Sequence, residues 1–410
     1  MAELTPKGMR LHIGLFGRRN VGKSSLLNAV VRQQVSIVSE FAGTTTDPVD
    51  KPMELLPIGP VLFIDTAGID DEGALGQLRI DKTRKAIDRT DVGVIVTDGQ
   101  WDSFEEHLCA ELTERGVPVI AALNKADLHQ PPAELIDRLH ARKIGVVVVS
   151  STTGQGLDDF RAALLAAAPA EFIDSPAIAG DLVGPGQMAI LVVPIDKEAP
   201  KGRLILPQVQ TIRDLLDSDA MCLVVKEREL RAAVENLKHP PALVVTDSQA
   251  FKEVAAVVPP NVPMTGFSVL YSRFKGDLIT QTLGATAVDT LRPGDNVLVA
   301  ESCTHHPIED DIGRVKIPKW LNCYVGGKLN FTTVQGQDFP DDISPYKLVI
   351  HCGACMWNRR LMLNRILKCR RANVPITNYG LVIAYSLGIF ERALGPFPAA
   401  LQAFKNAGRK

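Results

Sequence analysis

Gly17-Arg18-Arg19-Asn20-Val21-Gly22-Lys23-Ser24 fits the spacing G-x-x-x-x-G-K-[ST], and its surroundings decide the fold. The apolar run Leu11 to Phe16 before it reads as a buried strand, and Ser25 to Val31 after it reads as a helix. A glycine-rich turn between a strand and a helix N-terminus presents backbone N–H groups to an anion, so the stretch is a phosphate cradle. The candidate nucleotide-binding residues here are Gly17, Asn20, Val21, Gly22, Lys23, Ser24 and Ser25. Lys23 would reach the β- and γ-phosphates, and Ser24 would hold Mg²⁺.

Downstream motifs follow in the order a P-loop GTPase requires. In Gly43-Thr44-Thr45-Thr46-Asp47, the Thr45 hydroxyl would complete the Mg²⁺ shell. The strand Val61 to Ile64 ends in Asp65-Thr66-Ala67-Gly68, where Asp65 would contact Mg²⁺ through water and the Gly68 N–H would sense the γ-phosphate. Lys23, Thr45, Asp65 and Gly68 are thus the candidate catalytic set. The strand Val117 to Leu123 leads into Asn124-Lys125-Ala126-Asp127, whose Asp127 carboxylate accepts hydrogen bonds that guanine offers and adenine does not. Ser150 and Ser151, after the strand Val146 to Val149, would close over the base. Taken singly, Asn124 and Asp127 could be mere helix caps; in this order they select GTP and GDP.

Across about the first 165 residues this set resembles the translation-factor-like GTPases of the Era and MnmE type. The residue after Gly68 is Ile69, where a Ras-like enzyme has a water-positioning Gln, so slow intrinsic hydrolysis is expected. The resemblance implies that Asn20 coordinates a stimulatory K⁺ ion; its bland alternative is to satisfy loop backbone. The segment Asp70 to Gly76 is the expected mobile switch.

The whole chain, at 410 residues, is too long for one ordinary core, and three α/β domains are expected: 1–175, a P-loop GTPase fold; 178–265; and 266–410, the last two with smaller, mainly parallel sheets. No apolar run reaches bilayer length, and Met1 to Arg10 lacks a signal core, so a cytoplasmic protein without membrane contact is expected. A net charge of −2 gives no basic face for nucleic acid. Of seven Cys, four stand alone (Cys109, Cys222, Cys323 and Cys369) and read as small buried side chains.

After a Pro- and Gly-rich entry at Pro176 to Gly186, strand and helix patterns alternate. The strands read as Ala189 to Val193, Cys222 to Val225 and Ala242 to Val245; the helices read as Gln208 to Leu216, Glu227 to Leu237 and Gln249 to Val258. This predicts a parallel sheet without catalytic groups, whose bare edge would make a homodimer.

In the last third, the strand Asn296 to Ala300 leads to Cys303-Thr304-His305, and Lys347 to Ile350 leads to His351-Cys352-Gly353-Ala354-Cys355, with a helix from Asn358 to Cys369 behind it. Both clusters lie just beyond the carboxyl ends of strands, where open parallel sheets bind ligands, so they are expected to converge on one metal centre. A C-x-x-C redox pair would leave Cys303 unexplained. A Cys₃His zinc site and a [4Fe–4S] cluster with a non-thiolate fourth ligand stand level on ligand chemistry.

The order of a GTPase domain, an α/β domain, C-x-H and H-C-x-x-C resembles the HydF family of [FeFe]-hydrogenase maturation scaffolds over essentially the full length, as does Asp310-Asp311-Ile312-Gly313-Arg314-Val315-Lys316-Ile317-Pro318. The resemblance implies a [4Fe–4S] cluster on Cys303, Cys352 and Cys355, with His305 or His351 near the fourth iron. It also implies a transient diiron precursor received from the radical-SAM maturases HydE and HydG, and its delivery to apo-[FeFe]-hydrogenase. Alternatives are a K⁺-dependent GTPase of RNA modification or ribosome assembly, and a GTPase with a structural zinc site.

Overall fold

The computed structural model describes residues 5–32, 49–55, 59–66, 82–170, 176–195, 204–302 and 311–408. Thr45, Gly68, Ile69, the segment 70–76, Cys303 and His305 lie outside these described residues. Backbone contacts divide the chain into two compact units, Met1–Ser175 and Pro176–Lys410.

The first unit is a sheet of six described strands: β1 (Leu11–Phe16), β2 (Val49–Leu55), β3 (Gly59–Asp65), β4 (Val92–Thr97), β5 (Val119–Leu123) and β6 (Gly145–Val148). Their order is β2-β3-β1-β4-β5-β6, parallel except for the antiparallel β2–β3 pair. β1 and β4 are buried along their whole length, which explains their continuous apolar runs. Leu11, Ile13 and Leu15 pack in one cluster with Leu26 and Val30 of α1 (Lys23–Arg32), while Phe16 enters a second with Leu108 and Leu112 of α2 (Ser103–Glu114). Helices α3 (Ala133–Ala141) and α4 (Leu157–Ala167), together with the helical residues 82–87, are the unit's other described α-helices. Strand order reverses at β1, between β3 and β4, and the crevice at such a reversal is where the phosphate loop begins.

The second unit holds two four-stranded parallel sheets. One has the order β10-β9-β7-β8, from β7 (Met188–Val192), β8 (Met221–Val225), β9 (Leu243–Thr246) and β10 (Met264–Gly266), with α5 (Leu206–Asp217), α6 (Leu230–Asn236) and α7 (Phe251–Val257) between them. Every strand and helix expected from the alternating pattern forms. The boundary expected between 265 and 266 falls inside β10.

From β10 the chain passes directly into α8 (Phe267–Lys275) and α9 (Leu278–Ala285). The second sheet follows with the order β12-β11-β13-β14, from β11 (Asn296–Glu301), β12 (Asn330–Gln335), β13 (Leu348–His351) and β14 (Ile376–Asn378). Its helices are α10 (Ile317–Val325), α11 (Arg359–Arg371), α12 (Tyr379–Ser386), α13 (Phe390–Leu394) and α14 (Pro398–Ala407). Helix α9 lies so close to β14 that a Cβ on Gly284 would stand 1.9 Å from the Ile376 carbonyl oxygen. Cys109 and Cys369 are buried as expected; Cys222 is half-buried on the edge strand β8, and Cys323 on α10 is exposed, a correction to its buried reading.

No described helix is long and apolar enough to cross a membrane.

Candidate functional site

In the first unit the phosphate loop joins the end of β1 to Lys23, the first residue of α1. Gly17 has φ +142° and packs so tightly that an added Cβ would lie 2.2 Å from the Val96 carbonyl oxygen. Gly22, at φ +95°, leaves room for Asn124, whose Nδ2 would be 2.3 Å from such a Cβ. Asn20 adopts the left-handed region with φ +62°, a conformation that asparagine tolerates better than most residues. Buried Lys23 donates from Nζ to the carbonyls of Gly17 (2.8 Å) and Arg18 (2.7 Å), so its ammonium is held inside the loop.

Ser24 Oγ donates to Asp65 Oδ2 at 2.6 Å, bringing together the two candidate Mg²⁺ oxygens. Asp65 Oδ1 is buried with no hydrogen-bond partner among the described residues. A buried carboxylate oxygen without a partner is unfavourable, and a hard cation beside Ser24 would satisfy it, so the donor set fits Mg²⁺.

At the base-recognition end, Asn124 is 4% exposed and acts as a bracket. Its Nδ2 donates to the Val21 carbonyl at 2.9 Å, while its Oδ1 accepts from the Ser151 N–H at 3.1 Å and from Ser151 Oγ at 2.9 Å. Asp127 Oδ1 accepts from Ser150 Oγ at 2.6 Å, and Lys125 pairs with Asp98 at 3.3 Å. Asn124, Lys125, Asp127, Ser150 and Ser151 thus meet beside the phosphate loop, after the ends of β5 and β6.

In the second unit the H-C-x-x-C stretch follows β13. The Cys352 N–H continues the ladder to the Ala300 carbonyl at 3.0 Å. The Ser302 N–H then donates to Cys352 Sγ at 3.1 Å, and Trp357 Nε1 donates to the Ser302 carbonyl. Ser302 immediately precedes Cys303, so the two clusters begin from adjacent strand ends tied to each other. Cys352 and Cys355 are half-buried, and the turn between them places Ala354 at φ +52° with its side chain in the core. An N–H directed at a cysteine sulfur stabilises its thiolate form, which suits an iron–sulfur or zinc ligand. Among the described residues no group of three His, Cys, Asp or Glu is arranged to hold a metal; Cys303 and His305 lie outside them.

His351 is one of the two residues expected near the fourth iron. It is the last residue of β13, 1% exposed, and both ring nitrogens are engaged. Nη1 of Arg365 on α11 donates to Nε2 at 2.8 Å, which leaves the proton on Nδ1, donated to the Cys352 carbonyl at 2.7 Å. In this arrangement both ring nitrogens of His351 are taken up by protein partners, and the ring braces the cysteine loop. Arg365 is itself buried, bonded to the Gly336 carbonyl at 2.8 Å, and stacked 5.0 Å over the Phe339 ring.

The Asp311 to Pro318 stretch anchors the other strand end. Asp311 Oδ1 accepts from the Arg314 N–H at 2.8 Å, and the Arg314 guanidinium reaches Glu301 at 3.3 Å. Burial pushes the Glu301 carboxyl above its ordinary range, with Asp311 adding to the shift and Arg314 opposing it. Neither Arg365 nor Trp357 carries a sequence signal for this role, because each acts across elements far apart in the chain.

Comparison with known proteins covers most of the chain. Residues 12–125 match the family model described as 50S ribosome-binding GTPase, residues 178–276 that of the hydrogen maturase F dimerization domain, and residues 280–396 that of the hydrogen maturase F tetramerization domain. GTPase Der of Wolinella succinogenes is 32% identical over 174 residues, covering 40% of this chain and 37% of Der. The tRNA modification GTPase MnmE of Bordetella petrii is 36% identical over 161 residues, covering 38% of this chain and 34% of MnmE. The chain therefore spans little more than a third of the length of these curated relatives. Among solved structures, Era of Aquifex aeolicus aligns at 22% identity over 60% of this chain and 97% of Era, with a TM-score of 0.33, too low to carry weight.

Proposed function

We propose, since this chain belongs to the hydrogen maturase F family and begins with a GTPase domain of the Era and MnmE kind, that it is a GTP-hydrolysing scaffold that carries a diiron precursor to apo-[FeFe]-hydrogenase. The observation that carries this reading is the Cys352 to Cys355 turn, tied to Ser302 beside Cys303, in the same chain as an ordered phosphate loop. Cys303, Cys352 and Cys355 would hold a [4Fe–4S] cluster, with His305 as the remaining candidate near the fourth iron. When bound, that cluster supplies an iron at which cargo can attach. The chain's own residues shape the loop: Ser302 donates to Cys352 sulfur, and Trp357 and His351 fix its two sides.

In the GTPase domain, Lys23 would bind the phosphates, Ser24 and Asp65 would hold Mg²⁺ with Thr45, and Asp127 would select guanine. Asn20 would take a K⁺ ion in place of an arginine finger; equal turnover in Na⁺ and K⁺ would remove that role. The nucleotide state would govern exchange of partners, which include HydE and HydG as donors of the diiron unit.

Residues 178–265 would serve dimerisation and 266–410 cluster binding. β8 is an edge strand with Met221 and Val224 exposed, and α5 beside it exposes Val209 and Leu216, an apolar strip suited to a second copy of the chain.

The test is anaerobic reconstitution followed by iron, sulfide and zinc analysis, then mixing of chain produced with its maturases with apo-hydrogenase. Iron, sulfide and hydrogen production are expected. Zinc alone would replace the cluster by a structural metal, and a loaded chain that activates no hydrogenase would sink the carrier role.

A further inference from the structure

Arg18 is the second residue of the phosphate loop, and its guanidinium goes to the start of α2. Nε donates to Glu105 Oε1 at 2.8 Å and Nη2 to Oε2 at 3.2 Å. Nη2 also donates to Asp102, the N-cap of α2, and the guanidinium lies 5.3 Å over the Phe104 ring.

Glu105 is the unusual member of this group, since it is fully buried, with 0% exposure. Its Oε2 also accepts from the Asp102 N–H at 3.1 Å, closing a capping box at the helix start. Capping alone does not require burial, because a solvent-exposed glutamate closes such a box equally well. A carboxylate withdrawn from water persists where opposite charge and hydrogen bonds compensate it, and Arg18 supplies both.

The backbone of Arg18 completes the link. Its carbonyl accepts the Lys23 ammonium at 2.7 Å, beside the Gly17 carbonyl at 2.8 Å. Gly17 is held by close approach to Val96, and Val21 by Asn124. Between those two anchors, the side chain of Arg18 ties the loop to α2.

We propose that Arg18 and Glu105 are a positioning pair that preorganises the phosphate loop, so that nucleotide affinity depends on them while turnover of bound GTP does not. A loop already held in its binding shape has less conformational freedom to lose when the phosphates arrive. Losing that restraint weakens ground state and transition state alike, so KM rises while kcat stays.

The experiment uses the full chain as R18M, R18K, E105Q and the R18M/E105Q double variant, with equilibrium titration of a fluorescent GDP analogue and steady-state GTPase kinetics. R18M and E105Q should each weaken GDP-analogue binding about tenfold, with kcat changed by less than about twofold. R18K, which keeps the charge but loses the paired hydrogen bonds to Glu105 and the stack on Phe104, should recover only part of the affinity lost in R18M. The double variant should bind no worse than the weaker single variant, because both changes remove one interaction. Unchanged affinity in R18M, or additive losses in the double variant, would overturn the pairing. A merely structural pair would lower the melting temperature without this coupling in nucleotide affinity. If R18M does not fold, R18K and E105Q carry the test. The inference rests on the GTP-binding part of the function proposed above, and a parent chain that binds no GDP analogue would remove both.

Discussion

Asn124 joins the base-recognition loop to the phosphate loop through one buried amide, so its truncation should be felt at both. In N124A the Val21 carbonyl loses its donor, and the Ser151 N–H and hydroxyl lose their acceptor. A typical intramolecular hydrogen bond contributes about 1 kcal/mol net, and a buried group left unsatisfied costs about 1–3 kcal/mol. For three bonds around a residue that is 4% exposed, a total of roughly 3 kcal/mol follows. If the bracketed arrangement is the one that binds nucleotide, that energy corresponds to a loss of affinity of about a hundredfold. N124D should do no better, because it sets a carboxylate oxygen against the Val21 carbonyl. The assay is titration of a fluorescent GDP analogue, with urea unfolding followed in parallel. Affinity within twofold of the parent, with an unchanged unfolding midpoint, would refute the bracket.

D127N should lose roughly tenfold or more in GDP affinity and gain binding of the xanthosine analogue, whose carbonyl replaces the amine of guanine; titration of both nucleotides reads this directly. H351Q should retain the parent's iron content after anaerobic reconstitution while C352S and C355S lose it, and an iron loss in H351Q equal to theirs would return His351 to the ligand set. G284A should destabilise the second unit by about 1–3 kcal/mol or more, since its Cβ would meet the Ile376 carbonyl at 1.9 Å, and a urea midpoint equal to the parent's would contradict that packing. Burial holds the His12 imidazole down at about 4, against about 6.5 in the unfolded chain. Between those values the unfolded state binds the extra proton, so stability is retained above about pH 6.5 and lost towards pH 4, by about 3 kcal/mol in all. A series of urea midpoints over that range, compared with H12L, should fall more steeply towards pH 4 in the parent than in the variant.

Residues close in sequence carried most of what could be read before folding. The phosphate loop, Asp65, Asn124 to Asp127 and Ser150 each sit within one strand-to-loop step, so spacing alone exposed them, while the sheet then set β3 on the far side of β1 from β4. The strands and helices of 178–265 were equally legible, because parallel strands buried on both faces leave continuous apolar runs between helical periods. Among the strands that escaped notice, with β2, β4 and β10, are β12 and β14: Asn330 to Gln335 is a polar edge, and Ile376 to Asn378 is too short to show a period.

Tertiary structure decided what depends on partners far apart in the chain. His351 looks like a ligand in H-C-x-x-C, yet Arg365, fourteen residues on and brought back by α11, takes its open nitrogen. Glu105 looks like a helix cap until Arg18, more than eighty residues earlier, is seen to pair with it. Residue type and local backbone conformation specify the two chemistries, a phosphate cradle and a thiolate turn, without help from distant parts of the chain. Which side chains remain available to a ligand, and which are occupied in holding the site together, is a property of burial and pairing that arises when the sheets pack.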